Sequence, residues 1–125
     1  MKAFQVGVHM HSFFGEDSKL TADTYYPIYA AQMTRVGRSR GWPAFSRQQY
    51  EYGRSKEGAY LIGDVNEAVD KILQMQEMFG LTRFSAHMDV GGPSHELLMK
   101  SIEIFGTKIA PKVREALLVK SQITA

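Results

Sequence analysis

The stretch from Ala59 to Gly92, AYLIGDVNEAVDKILQMQEMFGLTRFSAHMDVGG, constrains the fold more than any other part of the chain. An apolar run at 59–62 stops at Gly63. Asp64 and Glu67 then have the spacing of a capping box, in which each side chain accepts from the other residue's backbone N–H at a helix start. Val65, Val69, Ile72, Leu73, Met75, Met78 and Phe79 mark the helix that follows, and Gly80 stands where a left-handed C-terminal cap belongs. Residues 82–90 return to strand alternation. Strand, helix and strand in this order make a βαβ unit, whose two strands run parallel because a helical crossover joins them.

The same alternation extends to both sides. Residues 4–14 read as a strand, with Val6, Val8 and Met10 alternating against Gln5, Gly7, His9 and His11. A helix is expected over 20–36, carrying Tyr25, Tyr29 and Met33 at helical spacing, with Pro27 tolerated only in its first turns or at a kink. GRSRGWP, 37–43, is a loop, and Ser46 caps a short helix over 47–52. Ser94 caps another helix, with Leu97, Leu98, Ile102 and Phe105 on one side. Gly106 and Pro111 punctuate it, and Ile109, Val113, Ala116 and Leu117 continue the apolar stripe. The order is therefore β-α-(α)-β-α-β-α, an α/β fold.

This order poses a problem of completeness. Three parallel strands with helices on one face leave the other face and both edges open, whereas parallel sheets are normally covered on both faces. The chain is thus expected to be either a small open α/β layer or part of a larger fold. Its 125 residues, 44% of them hydrophobic, support one domain with a real core.

YLIGDVNEAVDKILQMQEMFGLTRFSAHMDVGG and SIEIFGTKIAPKVRE resemble the C-terminal part of the luciferase-like, flavin-dependent monooxygenases. VHMHSFF, YYPIYAAQM, GRSRGWP and RSKEGAYLIG upstream are similar to one bacterial branch of that family, so the resemblance runs from about Val6 to Glu115. It implies the last three β/α units of a (β/α)8 TIM-type barrel, a partial barrel completed by oligomerisation, with 4–14, 59–62 and 82–90 as the sixth, seventh and eighth strands. It also implies a flavin, FMN or in some branches the deazaflavin F420, with a small organic substrate oxidised by reduced flavin and O2. Where relatives carry proline after the glycine at the seventh helix, this chain has Asp64-Val65, which touches helix entry and not chemistry. The family's main phosphate-binding loop lies in the first five strands, and the chain, beginning at Met1, is expected to be a truncated product or an expressed fragment that lacks most of the phosphate site. The alternative is a non-catalytic α/β fragment that self-associates through its open edges and binds no flavin.

His9 and His11 share one strand face, and His87 and Asp89 share one face of another. The opposite sets, Val6/Val8/Met10 and Phe84/Ala86/Met88/Val90, are the helix-facing ones, so the polar sets point into a barrel whose active site lies at the strand C-termini. The resemblance makes His11, His87, Asp89, Gly91 and Gly92 the candidate cofactor-binding residues. Taken alone, the imidazoles could equally be hydrogen-bonded interior groups, and Gly91-Gly92 either a strand-to-helix corner or a backbone approach to the flavin ring. No catalytic residue is assigned. No H-E-x-x-H-like spacing points to a metal, and the absence of cysteine excludes thiolate ligands, disulfides and cysteine nucleophiles. Ser12, Ser55 and Ser85 have no G-x-S-x-G context.

Arg35, Arg38, Arg40, Arg47, Arg54 and Lys56 cluster with Trp42, Tyr50 and Tyr52, a composition that could stack on single-stranded nucleic acid. Glu51 and Glu57 dilute the charge, and a net +2 exerts little non-specific pull, so a solvated helix-loop surface and no nucleic-acid partner are expected. No apolar run approaches the roughly 18 residues of a membrane span, and the N-terminus lacks a signal-peptide pattern. A soluble cytoplasmic protein without a membrane partner is expected.

Overall fold

The computed structural model describes residues 5–124, with side chains through Lys120. Strand β1 spans Gly7–Phe14, helix α1 Ser18–Arg38, α2 Arg47–Arg54 and β2 Tyr60–Gly63. Helix α3 spans Val65–Phe79, β3 Arg83–His87, α4 His95–Ile104 and α5 Ala110–Thr124, the last two joined by a π-helical turn, Phe105–Ile109. Phe4, the expected first residue of the first strand, lies outside the described residues.

The local signals act where they stand. Asp64 accepts from the Glu67 N–H and Glu67 from the Asp64 N–H, and Gly80 closes α3 at φ 65°. Ser46 and Gln49 form a second capping box at α2, and Asp17 and Ser94 cap α1 and α4. Pro27 sits in the interior of α1, past its first turns. Gly106 and Pro111 do not end the last helix. The Ala110 N–H instead reaches back five residues to the Phe105 carbonyl. Pro111 has no N–H to offer the carbonyl four residues before it and its ring crowds that carbonyl, so the backbone widens by one residue and continues.

All three strands are parallel, in the order β2-β1-β3. His11 to Phe14 pair with Tyr60 to Gly63, and Gly7 to His11 with Arg83 to His87. This order differs from that expected of three consecutive barrel units, where the middle strand in sequence lies between its neighbours. Here β1 takes the centre. The two crossovers leave β1 in one direction and return past it in the other, and right-handed crossovers of opposite direction place their helices on opposite faces of the sheet.

Two cores follow, and the second corrects the expectation of a bare sheet face. Met10, Phe14 and Leu61 pack with Ala68, Ile72, Ile104 and Ile109 from α3, α4 and the π-helical turn, flanked by Val8, Phe84, Ala86 and Met88. On the other face Phe13 and Ile62 pack with Ala22, Tyr25 and Tyr29 of α1 and Tyr50 of α2. Phe13 and Tyr25 stack with ring centroids 4.3 Å apart. The face that would look into a barrel is thus partly filled by the chain's own tyrosines. Val90, expected among the helix-facing residues of the first core, packs with this second cluster, because strand alternation no longer governs a residue past the end of β3.

Lys71 of α3 is a buried cation, 4% exposed. Its ammonium donates to the carbonyls of Gly53 (3.3 Å), Ser55 (2.6 Å) and Tyr60 (2.5 Å), tying α3 to the end of α2 and to β2. Among the described residues no helix is long and apolar enough to cross a membrane.

Candidate functional site

Strand alternation brings His9, His11 and His87 onto one face of β1 and β3. His11 and His87 are register partners. Their rings meet edge to face at 5.5 Å, and those of His9 and His87 at 5.2 Å. Asp89, two residues past the end of β3, accepts from His87 Nε2 at 2.6 Å, although both side chains are well exposed at 42% and 67%. A contact so solvated contributes little stability. It serves instead to orient the imidazole and to select the tautomer carrying the Nε2 hydrogen.

His11 is the inner member. Its Nδ1 lies 2.7 Å from the Tyr29 hydroxyl, and its ring stacks over Tyr60 at 12° between planes. Burial, then the proximity of His87 and His9, lowers its pKa below the ordinary 6.5, so the ring is neutral at pH 7. Burial, then the neighbouring Tyr60, raises the Tyr29 pKa, so the phenol stays protonated. With Nδ1 accepting, Tyr29 donates to His11; with Nδ1–H donating, Tyr29 accepts, so the His11 tautomer sets the direction of this bond.

Replacing His87 with glutamine removes one of the positive neighbours that hold His11 down, so the His11 titration is expected to move upward, as read from imidazole NMR shifts. Folding stability has a matching dependence. In the unfolded chain His11 binds a proton near pH 6.5, whereas in the folded chain it does so only at lower pH. Acidification below about 6.5 therefore favours the unfolded state, and urea midpoints are expected to fall from pH 7 to pH 5.

Beside the histidines lies an open depression of about 370 Å³ that wraps the free edge of β3. His9, His87 and Asp89 form one wall, and Ala86, Met88, Leu98 and Ile102 the other. Among the described residues no lysine or arginine lines it. The residues thus suit an aromatic ring with hydrogen-bonding edges, and they offer no cation for a flavin phosphate. Among the described residues no group of three or more histidine, aspartate or glutamate side chains is arranged to hold a metal ion.

The Gly91-Gly92 corner is tied to α1. Gly91 has φ 85°, and a Cβ there would lie 2.6 Å from the Ile28 carbonyl oxygen. Tyr25 donates its hydroxyl to the Val90 carbonyl at 2.6 Å, and the Gly92 N–H closes a turn onto Asp89. Gly91 is thus needed for a left-handed turn pressed against a helix. Gly92, at φ 69°, faces open space.

His11, His87 and Asp89 come together as expected from their strand faces. Gly91 does not face the depression's lining. Tyr29 and Tyr60 were not singled out as site residues by the sequence. The Tyr25/Tyr29 spacing announces a helical stripe, but which sheet face that stripe covers depends on the direction of the crossover. The basic cluster divides. Arg47 pairs with Asp23 and Glu51 and lies over the rings of Tyr26 and Tyr50, and Arg54, 11% exposed, donates to the Ile62 carbonyl. Tyr50 is fully buried, with its hydroxyl on the Ala22 carbonyl, and is not a stacking platform.

Comparison with protein-family models and with curated proteins finds no match to this chain.

Proposed function

We propose that this chain supplies one wall of the flavin and substrate site of a luciferase-like, flavin-dependent oxidoreductase acting on a small organic molecule. The observation that carries this reading is the convergence of His9, His11, His87 and Asp89 beside an apolar depression. The order of the sequence motifs supports it independently. His9 and His87 would meet the polar edge of the ring, Ala86, Met88 and Ile102 its apolar surface, and the His11–Tyr29 pair would hold or move a proton behind them. When bound, reduced FMN, or F420 in a related branch, supplies the electrons of the reaction. We assign the phosphate grip to another part of the complete enzyme, because among the described residues no cation lines the depression. We take that enzyme to be a (β/α)8 barrel ending in these three units. To join it, β2 would have to move between β1 and β3.

Titration of the purified chain with FMN and with riboflavin, followed by flavin fluorescence, tests the proposal. Both flavins should be quenched with similar, weak affinity, since only the ring is recognised. The His9→Gln/His87→Gln double variant should lose the quenching. Absence of quenching with either flavin in the parent chain overturns the assignment.

A second reading is favoured by one specific feature. Among the described residues one edge of β3 is unpaired, and exposed Met99 and Ile102 (49% and 43%) stand on the neighbouring helix α4, Ile102 in the depression itself. Self-association of a chain without flavin would cover this edge. A colourless dimer by light scattering, with no flavin quenching, supports that reading over the first.

A further inference from the structure

A second cavity lies at the start of β3, enclosed by α3, the π-helical turn and α5, with a volume of about 340 Å³. Its floor is apolar: Ile72 and Ile109 belong to the buried core, and the Phe84 and Phe105 rings sit 6.2 Å apart. Phe105 and Ile109 are the two ends of the π-helical turn, a widening of the helix that recurs at binding sites.

The polar groups at this cavity are few, and Thr82 among them is already bonded to the Val6 backbone. Arg83 and Arg114 line it, both are exposed, and among the described residues neither has an ion-pair partner. Gln76 lines it too, and among the described residues its buried side-chain oxygen has no hydrogen-bond partner. A buried acceptor left unpaired is costly, and a ligand donor would remove that cost. An apolar floor with a small number of polar groups around it is the usual form of a small-molecule site, and this volume falls in the usual range.

We infer that this cavity binds an aromatic carboxylic acid carrying an N–H or O–H group: the ring system over Phe84 and Phe105, the carboxylate on Arg83 and Arg114, and the ligand's donor on Gln76 Oε1. The site is separate from the histidine wall and does not depend on flavin binding there. Two guanidinium groups select an anion, and the planar fork of each suits a carboxylate.

Indole-3-acetate, which has all three features, is the probe. Two controls each lack one: indole-3-acetamide lacks the charge, and naphthalene-1-acetate lacks the N–H. Calorimetric titration should give binding of indole-3-acetate below about 1 mM, with the amide at least about tenfold weaker and the naphthalene acid several-fold weaker. The Arg83→Gln/Arg114→Gln variant changes only exposed side chains, so its melting temperature should hold while indole-3-acetate binding falls about tenfold. Gln76→Leu should raise the melting temperature and abolish the preference for indole over naphthalene. Equal affinities for acid and amide, unchanged binding in the double arginine variant, or no binding at about 1 mM would each overturn the assignment.

Discussion

Gly91→Ala is expected to lower the unfolding free energy by roughly 2–4 kcal/mol, the sum of a left-handed backbone penalty and a steric clash. The clash is with the Ile28 carbonyl oxygen at 2.6 Å and the Ile28 Cγ2 at 2.8 Å, and the carbonyl belongs to a helix that cannot yield cheaply. Gly92→Ala is the internal control. It has the same hand of backbone, φ 69°, but open space around the new methyl group, so a loss of only about 1 kcal/mol is expected. Urea denaturation of both variants separates the two terms. If Gly91→Ala costs no more than Gly92→Ala, the corner is not held against α1, and a ligand-facing role for Gly91 regains its footing.

The second large effect is on the pH dependence of stability, and it comes from Lys71. Burial lowers its pKa to about 8, against an ordinary 10.5. Below pH 8 the ammonium is protonated in both folded and unfolded chains, and its full burial cost is present. Between pH 8 and 10.5 the unfolded chain holds the proton and the folded chain releases it, so stability rises with pH, by up to about 3 kcal/mol over the window. Tyr25, Tyr29 and Tyr50 act in the opposite sense. Burial raises their pKa values, so above about pH 10 the unfolded chain alone loses these protons and stability falls. Maximum stability is therefore expected between about pH 9 and 10. Lys71→Met should flatten the rise above pH 8 while costing roughly 2–4 kcal/mol at pH 7, because three carbonyl acceptors lose their donor. Urea midpoints measured from pH 6 to 11 check both curves. A parent profile that falls steadily from pH 8 would contradict the assigned direction for Lys71.

The candidate site was legible in part, for a reason that its residues make plain. His9, His11 and His87 share a face because side chains alternate along a strand, and that periodicity is written in the residues themselves. Asp89, two residues past the end of β3, joins them through its contact with His87 Nε2. Tyr29 and Tyr60 complete the cluster through a contact between a helix and two strands, which no local pattern encodes. Nothing in the local pattern of α3 marks Lys71 for burial, and the 53–60 segment that supplies its carbonyl partners covers it.

By itself the sequence determined the α/β class, the order of strands and helices, the capping box at Asp64, the cap at Ser46, the glycine cap at Gly80 and the strand faces that carry the histidines. These follow from interactions a few residues apart, which local composition specifies. Only the tertiary structure decided that β1 is the central strand, that the tyrosines of α1 and α2 cover the histidine face, and that Gly91 is held against Ile28. Which neighbour a parallel strand pairs with is decided by the direction of a helical crossover and the packing of whole faces, and the strand pattern is the same for either choice.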